Sequence, residues 1–112
     1  MPVVRVECLP EMREDELKGL FEQIRELLST SLPRRIPVED LTVLFPRDMM
    51  KYGLGEEIIV TVEDYDIGHK RERLDLADAL GNMFRQRFQN SRIKVRVRPV
   101  NFEDGRWDSK RD

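Results

Sequence analysis

The sequence predicts an α+β domain of two tandem βαβ units, with a four-stranded mixed sheet and two helices on one face. Three observations lead to this prediction. Four short segments alternate apolar and polar residues, two longer segments repeat apolar residues at helical spacing, and the second half of the chain repeats the order of the first. With 112 residues, the chain has room for one domain with one hydrophobic core.

The first unit is predicted over residues 2–46. Its first strand covers Val3–Leu9, in which Val4, Val6 and Cys8 share one face. Residues 13–32 form the first predicted helix, because their apolar residues fall three or four positions apart on one stripe. These apolar residues are Leu17, Leu20, Phe21, Ile24, Leu27 and Leu28. The second strand is predicted from the alternation of Leu41, Val43 and Phe45.

The second unit is predicted over residues 57–99 and repeats this plan. Its strands are predicted from two alternating sets, Ile58, Val60 and Val62, and then Ile93, Val95 and Val97. A helix of roughly residues 71–89 lies between them, and residues 100–112 form a C-terminal tail. Ferredoxin-like folds have the same element order, so the order alone leaves the arrangement of the strands open.

Composition and charge exclude several classes of protein. The chain carries 20 Lys and Arg against 22 Asp and Glu, a net charge of -2, which argues against a dedicated nucleic-acid binder. No apolar run is long enough to span a membrane, and the N-terminus does not resemble a secretory signal, so we expect a cytoplasmic protein. One cysteine, Cys8, and one histidine, His69, exclude an internal disulfide and the usual zinc sites. We expect no metal or cofactor.

The chain begins with Met1 and Pro2, directly before the first strand. Methionine aminopeptidases commonly remove an initiator methionine that precedes proline, which would leave a secondary amine at the strand end. An α-amino group has a pKa of about 8, and burial or nearby cations lower this value. A neutral prolyl nitrogen can move a proton next to a carbonyl, or attack the carbonyl as a nucleophile.

Three sequence motifs, taken with the internal duplication and Pro2, resemble the tautomerase superfamily. MPVVRVEC (residues 1–8) resembles the start of the 5-carboxymethyl-2-hydroxymuconate isomerases. KYGLGE (residues 51–56) is similar to the aromatic-Gly-x-Gly turn of 4-oxalocrotonate tautomerase. NFEDGRW (residues 101–107) is similar in placement to the tail of the macrophage migration inhibitory factor branch. The resemblance covers nearly the whole chain.

This resemblance implies a homotrimer with active sites near the subunit boundaries. It also implies a cofactor-free tautomerase or isomerase of a small 2-oxo or 2-hydroxy unsaturated carboxylic acid. Pro2 would be the general base and then the general acid. Cationic side chains would bind the substrate carboxylate and stabilise the enolate.

Seven further residues are candidates for this site. Lys94 and Arg96 match site positions of the inhibitory-factor branch and are assigned a catalytic role beside Pro2. Substrate-binding candidates are Arg13 and Arg35 in the first unit and Tyr52 in the turn, together with Arg71 and Arg73 after the third strand. For most of them the alternative is a solvated surface residue, and for Tyr52 it is a packed turn aromatic.

Besides a tautomerase, two other interpretations stay open at this point. The chain is either a decarboxylase or hydrolytic dehalogenase of the same superfamily, or a trimeric protein that kept the fold and lost the activity. Retention of Met1 would favour the inactive protein, because an acylated nitrogen has no basic lone pair. Nucleic-acid binding across the basic last strand is disfavoured, since no aromatic residues interleave its cations.

Overall fold

The computed structural model describes residues 3–31, 41–46, 57–64 and 70–99. Within these ranges the chain forms six elements in βαββαβ order. They are β1 (Val3–Glu7), α1 (Glu14–Ser31), β2 (Thr42–Leu44), β3 (Glu57–Asp64), α2 (Lys70–Arg87) and β4 (Arg92–Pro99). Each element lies within about two residues of its predicted bounds, and the predicted fold class is confirmed. The proposed tail over residues 100–112 lies outside the described residues.

The four strands form one mixed sheet in the order β2-β1-β3-β4. β1 runs parallel to β2 and antiparallel to β3, and β3 runs parallel to β4. Each helix therefore connects two strands that lie side by side. In a ferredoxin-like sheet, a strand of the other unit splits each βαβ pair. The observed strand order excludes that arrangement, which the element order had left open.

An approximate twofold axis passes between β1 and β3. Aligning the two units by their strand patterns sets Val4 against Ile58 and Val6 against Val60. In the sheet, Val6 pairs directly with Val60, its own counterpart in this alignment, and Val4 pairs with Val62. A half-turn about the Val6–Val60 pair therefore places one unit on the other.

Both helices pack on the same face of the sheet and bury the apolar stripes that the sequence predicts. Side chains from β1 and β3 meet side chains from α1 and α2 in one core, since burial of apolar surface is the main force that holds such layers together. The buried residues of this core are Val4, Val6, Leu20, Ile24, Leu28, Ile58, Val60, Val62, Leu76, Leu80 and Phe84.

The ends of α1 are stabilised by local hydrogen bonds. The backbone N–H of Arg13 donates to Oε1 of Glu16 at 3.1 Å, which satisfies a backbone donor just before the first turn. Glu14, Asp15 and Glu16 place carboxylates where the helix dipole favours negative charge. In the last turn, the Thr30 hydroxyl donates to the carbonyl of Glu26 at 2.8 Å.

The two helices are also joined by a polar contact. Arg87, in the last turn of α2, donates to the side-chain oxygen of Gln23 and to the backbone carbonyl of Glu16, both in α1. A cation in the last turn of a helix is favoured by the helix dipole. Arg87 thus holds the C-terminal turn of α2 against α1.

Neither helix of the described residues is long and apolar enough to cross a membrane.

The first strand ends two residues earlier than the sequence predicts. Cys8 has a φ of 65°, a left-handed conformation that is rare for residues other than glycine and cannot continue a strand. The prediction that Cys8 shares the buried face of Val4 and Val6 is therefore wrong. Its side chain is half-buried at the bend after β1.

Two identical substitutions in α2 will test where the core lies. Leu80 is fully buried, whereas Leu74 in the same helix is 52% exposed. We expect Leu80→Ala to lower the free energy of unfolding by about 2–5 kcal/mol, because it leaves a cavity under the helix. Leu74→Ala should change it by less than about 0.5 kcal/mol. Urea denaturation followed by circular dichroism measures both, and equal losses would contradict the packing described here.

Candidate functional site

The start of β1 is the place where the sequence predicts the reactive proline. Pro2 itself lies outside the described residues, so its role stays a prediction. Val3 pairs with Thr42 of β2 on one side and with Glu63 of β3 on the other, and Glu63 in turn pairs with Arg98 of β4. These four residues form the row of the sheet that lies nearest to the N-terminus.

The sheet face opposite the helices is polar. Because successive side chains of a strand point to opposite faces, the neighbours of the buried valines and isoleucines point away from the core. We call this the open face, and within the described ranges no helix covers it. It comprises Val3, Arg5, Glu7, Thr42, Leu44, Glu57, Ile59, Thr61, Glu63, Arg92, Lys94, Arg96 and Arg98.

Four of these residues form a row of cations along the edge strand β4. Arg92, Lys94, Arg96 and Arg98 are all exposed, and alternate residues of a strand lie about 7 Å apart. At that separation two unit charges repel by roughly 0.6 kcal/mol in water and 2.4 kcal/mol near a protein surface. None of the four forms an ion pair with another residue that the structure describes. The row is therefore available to an anion.

The register sets the order in which these cations approach the start of β1. Arg98 lies in the row of Val3, while Arg96 lies one row further into the sheet, about 7 Å along the strand. Lys94 lies two rows away, at about 14 Å. The sequence alone assigns Arg96 and Lys94 to the site and gives no reason to include Arg98. Only the register of β3 with β4 reveals it, since alternation places all four cations on one face without ranking them.

Arg13 lies at the opposite end of β1 from Val3. The strand is about 13 Å long, and Arg13 follows its far end, at the start of α1. Its Nε lies 3.3 Å from Oε1 of Glu16 and 3.5 Å from Oδ1 of Asp15, and its side chain is 77% exposed. The structure does not bring Arg13 and the start of β1 together within one chain.

Arg71 and Arg73 lie in the first turn of α2, which follows the end of β3 nearest to Val3. Arg71 is exposed, and its Nε lies 3.5 Å from Oδ1 of Asp75 one turn later. Arg73 is half-buried and already engaged in an interaction. Both therefore follow the strand end where the site is predicted.

The remaining candidates lie outside the described residues. Arg35 belongs to the segment between α1 and β2, and Tyr52 to the segment between β2 and β3. Their predicted roles in substrate binding stay predictions. Among the residues that the structure does describe, no group of three or more His, Cys, Asp or Glu side chains is placed to hold a metal ion.

Thr61 is a polar residue of the open face that the sequence analysis did not single out. It lies between Val60 and Val62, is only 4% exposed, and its Oγ1 has no hydrogen-bond partner among the residues that the structure describes. A buried hydroxyl without a partner costs about 1–3 kcal/mol. In the sequence, the only indication of its position is that it alternates with the apolar residues Val60 and Val62 of the third strand.

Comparison with known proteins identifies the fold. No family model matches the chain, and no curated protein matches it. Solved structures do match. A macrophage migration inhibitory factor-like protein from Entamoeba histolytica is 13% identical, with a TM-score of 0.72 over 96% of this chain and 95% of that one.

Two further structures give the same result. A fused 4-OT wild type asymmetric trimer is 10% identical, with a TM-score of 0.71 over 88% of this chain and 85% of that one. Pt0534 inactivated by 2-oxo-3-pentynoate is 13% identical, with a TM-score of 0.68 over the same shares. At these identities the likeness shows the fold alone, which this chain shares with the macrophage migration inhibitory factor-like protein, the fused 4-OT and Pt0534.

The Arg13–Glu16 contact predicts a pH-dependent stability. The hydrogen bond from the Arg13 backbone N–H, aided by the Arg13 charge, holds the pKa of Glu16 below its ordinary value, although partial desolvation opposes this. A carboxylate whose pKa is lower in the folded state stabilises the fold above its unfolded pKa. This stabilisation is lost as the pH falls through the folded pKa.

The matching experiment compares Glu16→Gln with Glu14→Gln, which removes the same charge from the same helical turn. We expect Glu16→Gln to lower the Tm at pH 7, and the difference from the wild type to vanish at pH 2. Glu14→Gln should have the smaller effect at pH 7. Thermal unfolding at several pH values measures both, and a Tm difference for Glu16→Gln that persists at pH 2 would contradict the assignment.

Proposed function

We propose that this protein is a cofactor-free tautomerase or isomerase of a small 2-oxo or 2-hydroxy unsaturated carboxylic acid. One observation carries the proposal: the row of cations on β4, which forms no ion pair among the described residues, reaches the end of the sheet at which β1 begins. An anionic substrate with an acidic C–H next to a carbonyl requires this combination of base and fixed cations. The tautomerase-superfamily fold supports it.

In the proposed reaction, Pro2 is the N-terminal residue after removal of Met1. Its neutral nitrogen takes a proton from the carbon next to the carbonyl of a 2-oxo acid, or from the hydroxyl of a 2-hydroxy acid, and the electron pair left behind gives an enolate. The same nitrogen, now protonated, returns the proton to a different atom of the conjugated system. Nearby cations favour the neutral nitrogen, because a second positive charge beside them is disfavoured.

In this proposal, the cations of β4 bind the substrate and stabilise its negative charge. Arg98 and Arg96 are assigned to the carboxylate, because they lie nearest to the start of β1 and a guanidinium group binds both oxygens of a carboxylate. Negative charge that develops on the carbonyl oxygen is stabilised by the same row, in which Lys94 is the more distant member. Arg71 and Arg73 are kept as further candidates at that end of the sheet.

A homotrimer is part of the proposal. Arg13 lies at the far end of β1 from Val3, so in this proposal it serves a site at the start of β1 only in another copy of the chain. The fused 4-OT structures, which are trimers by name, support assembly in threes. We also propose a cytoplasmic location, where initiator methionines are removed.

Pro2 is tested first by mass and by labelling. Intact mass of protein purified without an N-terminal tag should show loss of one methionine. The processed protein should tautomerise phenylenolpyruvate, and 2-oxo-3-pentynoate, which inactivates the similar Pt0534, should add covalently at Pro2. Pro2→Ala should lose at least about a hundredfold in kcat/KM, as expected for loss of a general base. Equal activity of Pro2→Ala and the wild type would remove Pro2 from the chemistry.

The cations are tested by single substitutions along one strand. Arg98→Gln and Arg96→Gln should each lower kcat/KM by about tenfold to a hundredfold, because each removes a charged hydrogen bond to the carboxylate. Arg92→Gln removes the same charge from the far end of β4 and should change kcat/KM by less than about twofold. Steady-state kinetics measures all three. A uniform loss across the three variants would mean that only the overall charge of the strand matters.

A further inference from the structure

The centre of the open face holds two residues, Arg5 and Thr61, that the proposed tautomerase reaction does not use, beside one that it does, Arg96. Arg5 of β1, Thr61 of β3 and Arg96 of β4 are direct cross-strand partners, so they form one row with Thr61 in the middle. Thr61 is buried, and within the described ranges its hydroxyl has no hydrogen-bond partner. Arg5 and Arg96 are both exposed, and neither forms an ion pair with a residue that the structure describes.

The register of the row places one arginine on each side of Thr61. Side chains that are direct neighbours on adjacent strands have Cβ atoms about 5 Å apart. Each arginine side chain is long and flexible enough for its guanidinium group to reach a ligand held at Thr61. A guanidinium group only donates hydrogen bonds, so it leaves the Thr61 hydroxyl without an acceptor.

The charges in the neighbouring rows indicate the charge of a ligand that could accept a hydrogen bond from Thr61. Lys94 and Arg98 lie one row to either side on β4, while Glu63 and Glu7 are the carboxylates of these rows. Together with Arg5 and Arg96, the three rows contain four cations and two carboxylates, which leaves a net charge of +2. A divalent anion would neutralise this part of the face.

We infer that the Arg5–Thr61–Arg96 row binds a tetrahedral divalent oxyanion, either inorganic phosphate or the phosphate group of a small monoester. Its oxygens would accept paired hydrogen bonds from the two guanidinium groups and one from the Thr61 hydroxyl. A single carboxylate has two oxygens and one charge, and so matches neither the three donors nor the net charge. The bound anion would supply the acceptor that Thr61 lacks.

This inference does not depend on the proposed tautomerase activity. The two sites share Arg96, but the oxyanion site does not involve Pro2. Phosphate binding is therefore expected to be the same in Pro2→Ala as in the wild type. If Pro2 has no catalytic role and phosphate still binds, the proposed function fails alone. If Pro2 is catalytic and phosphate does not bind, this inference fails alone.

The experiment is titration of the full chain with inorganic phosphate in a chloride buffer of low ionic strength, followed by calorimetry. The wild type should bind one phosphate per chain with saturation, and phenyl phosphate should bind with similar affinity if monoesters are accepted. Thr61→Val keeps the branched side chain and removes the hydroxyl, and it should weaken binding at least fivefold. Arg5→Gln should weaken binding at least tenfold. Arg92→Gln, which lowers the charge of the same face outside the row, should change it by less than twofold.

A second readout keeps the test independent of folding defects. Thr61→Val should have an unchanged or higher Tm without phosphate, because it removes a buried hydroxyl that has no partner. Phosphate should then raise the Tm of the wild type more than that of Thr61→Val. If Thr61→Val leaves phosphate affinity unchanged and instead alters the oligomeric state, a second copy of the chain supplies the acceptor, and the inference is overturned.

Two other results would also overturn it. Absence of saturable phosphate binding means that the row binds no such anion. An equal loss of affinity in Arg92→Gln and Arg5→Gln means that the whole face attracts anions without a built site. Binding of a single-stranded oligonucleotide that depends on Arg92 as strongly as on Arg96 would point to a phosphate backbone along β4, which is a different interaction.

Discussion

The antiparallel pairing of β1 with β3 determines the rest of this structure. It joins the two βαβ units at their first strands, and its register places Val4 and Val6 beside Val62 and Val60 on one face. Both helices then cover that face, because the apolar side chains of both units point to it. The polar residues are left together on the other face. A shift of this register by one residue would mix the two sets and remove both the core and the open face.

The same pairing determines which charges lie near the N-terminus. Since β3 runs antiparallel to β1 and parallel to β4, the C-terminal ends of β3 and β4 lie at the same edge of the sheet as the start of β1. Arg98 is therefore two strands from Val3 although 95 residues separate them in the chain. Arg13, only ten residues from Val3, lies at the other end of the sheet. Distance along the chain therefore does not predict which cation lies near which end of β1.

The helices and strands could be predicted from the sequence because their apolar residues recur with clear periods of 3.6 and 2. Leu20, Ile24 and Leu28 of the first helix and Ile58, Val60 and Val62 of the third strand are buried as predicted, while Phe21 and Leu27 of the same helical stripe are half-buried. The order of the strands could not be predicted, because it depends on long-range pairing that leaves no local pattern. The positions of Arg98 and Thr61 relative to the start of β1 follow from that pairing. The bend at Cys8 was missed because its side chain fits the apolar alternation and only its backbone does not.

The half-turn symmetry about Val6 and Val60 has a consequence for any chemistry that uses a chain terminus. By this symmetry Glu57 is the counterpart of Val3, and the residue before it in sequence, Glu56, is the counterpart of Pro2. The nitrogen of Glu56 is part of a peptide bond and has no basic lone pair. In the proposed reaction, only the first of the two strand starts can therefore supply an amine. The residues at the second strand start have no part in that proton transfer and are free to diverge.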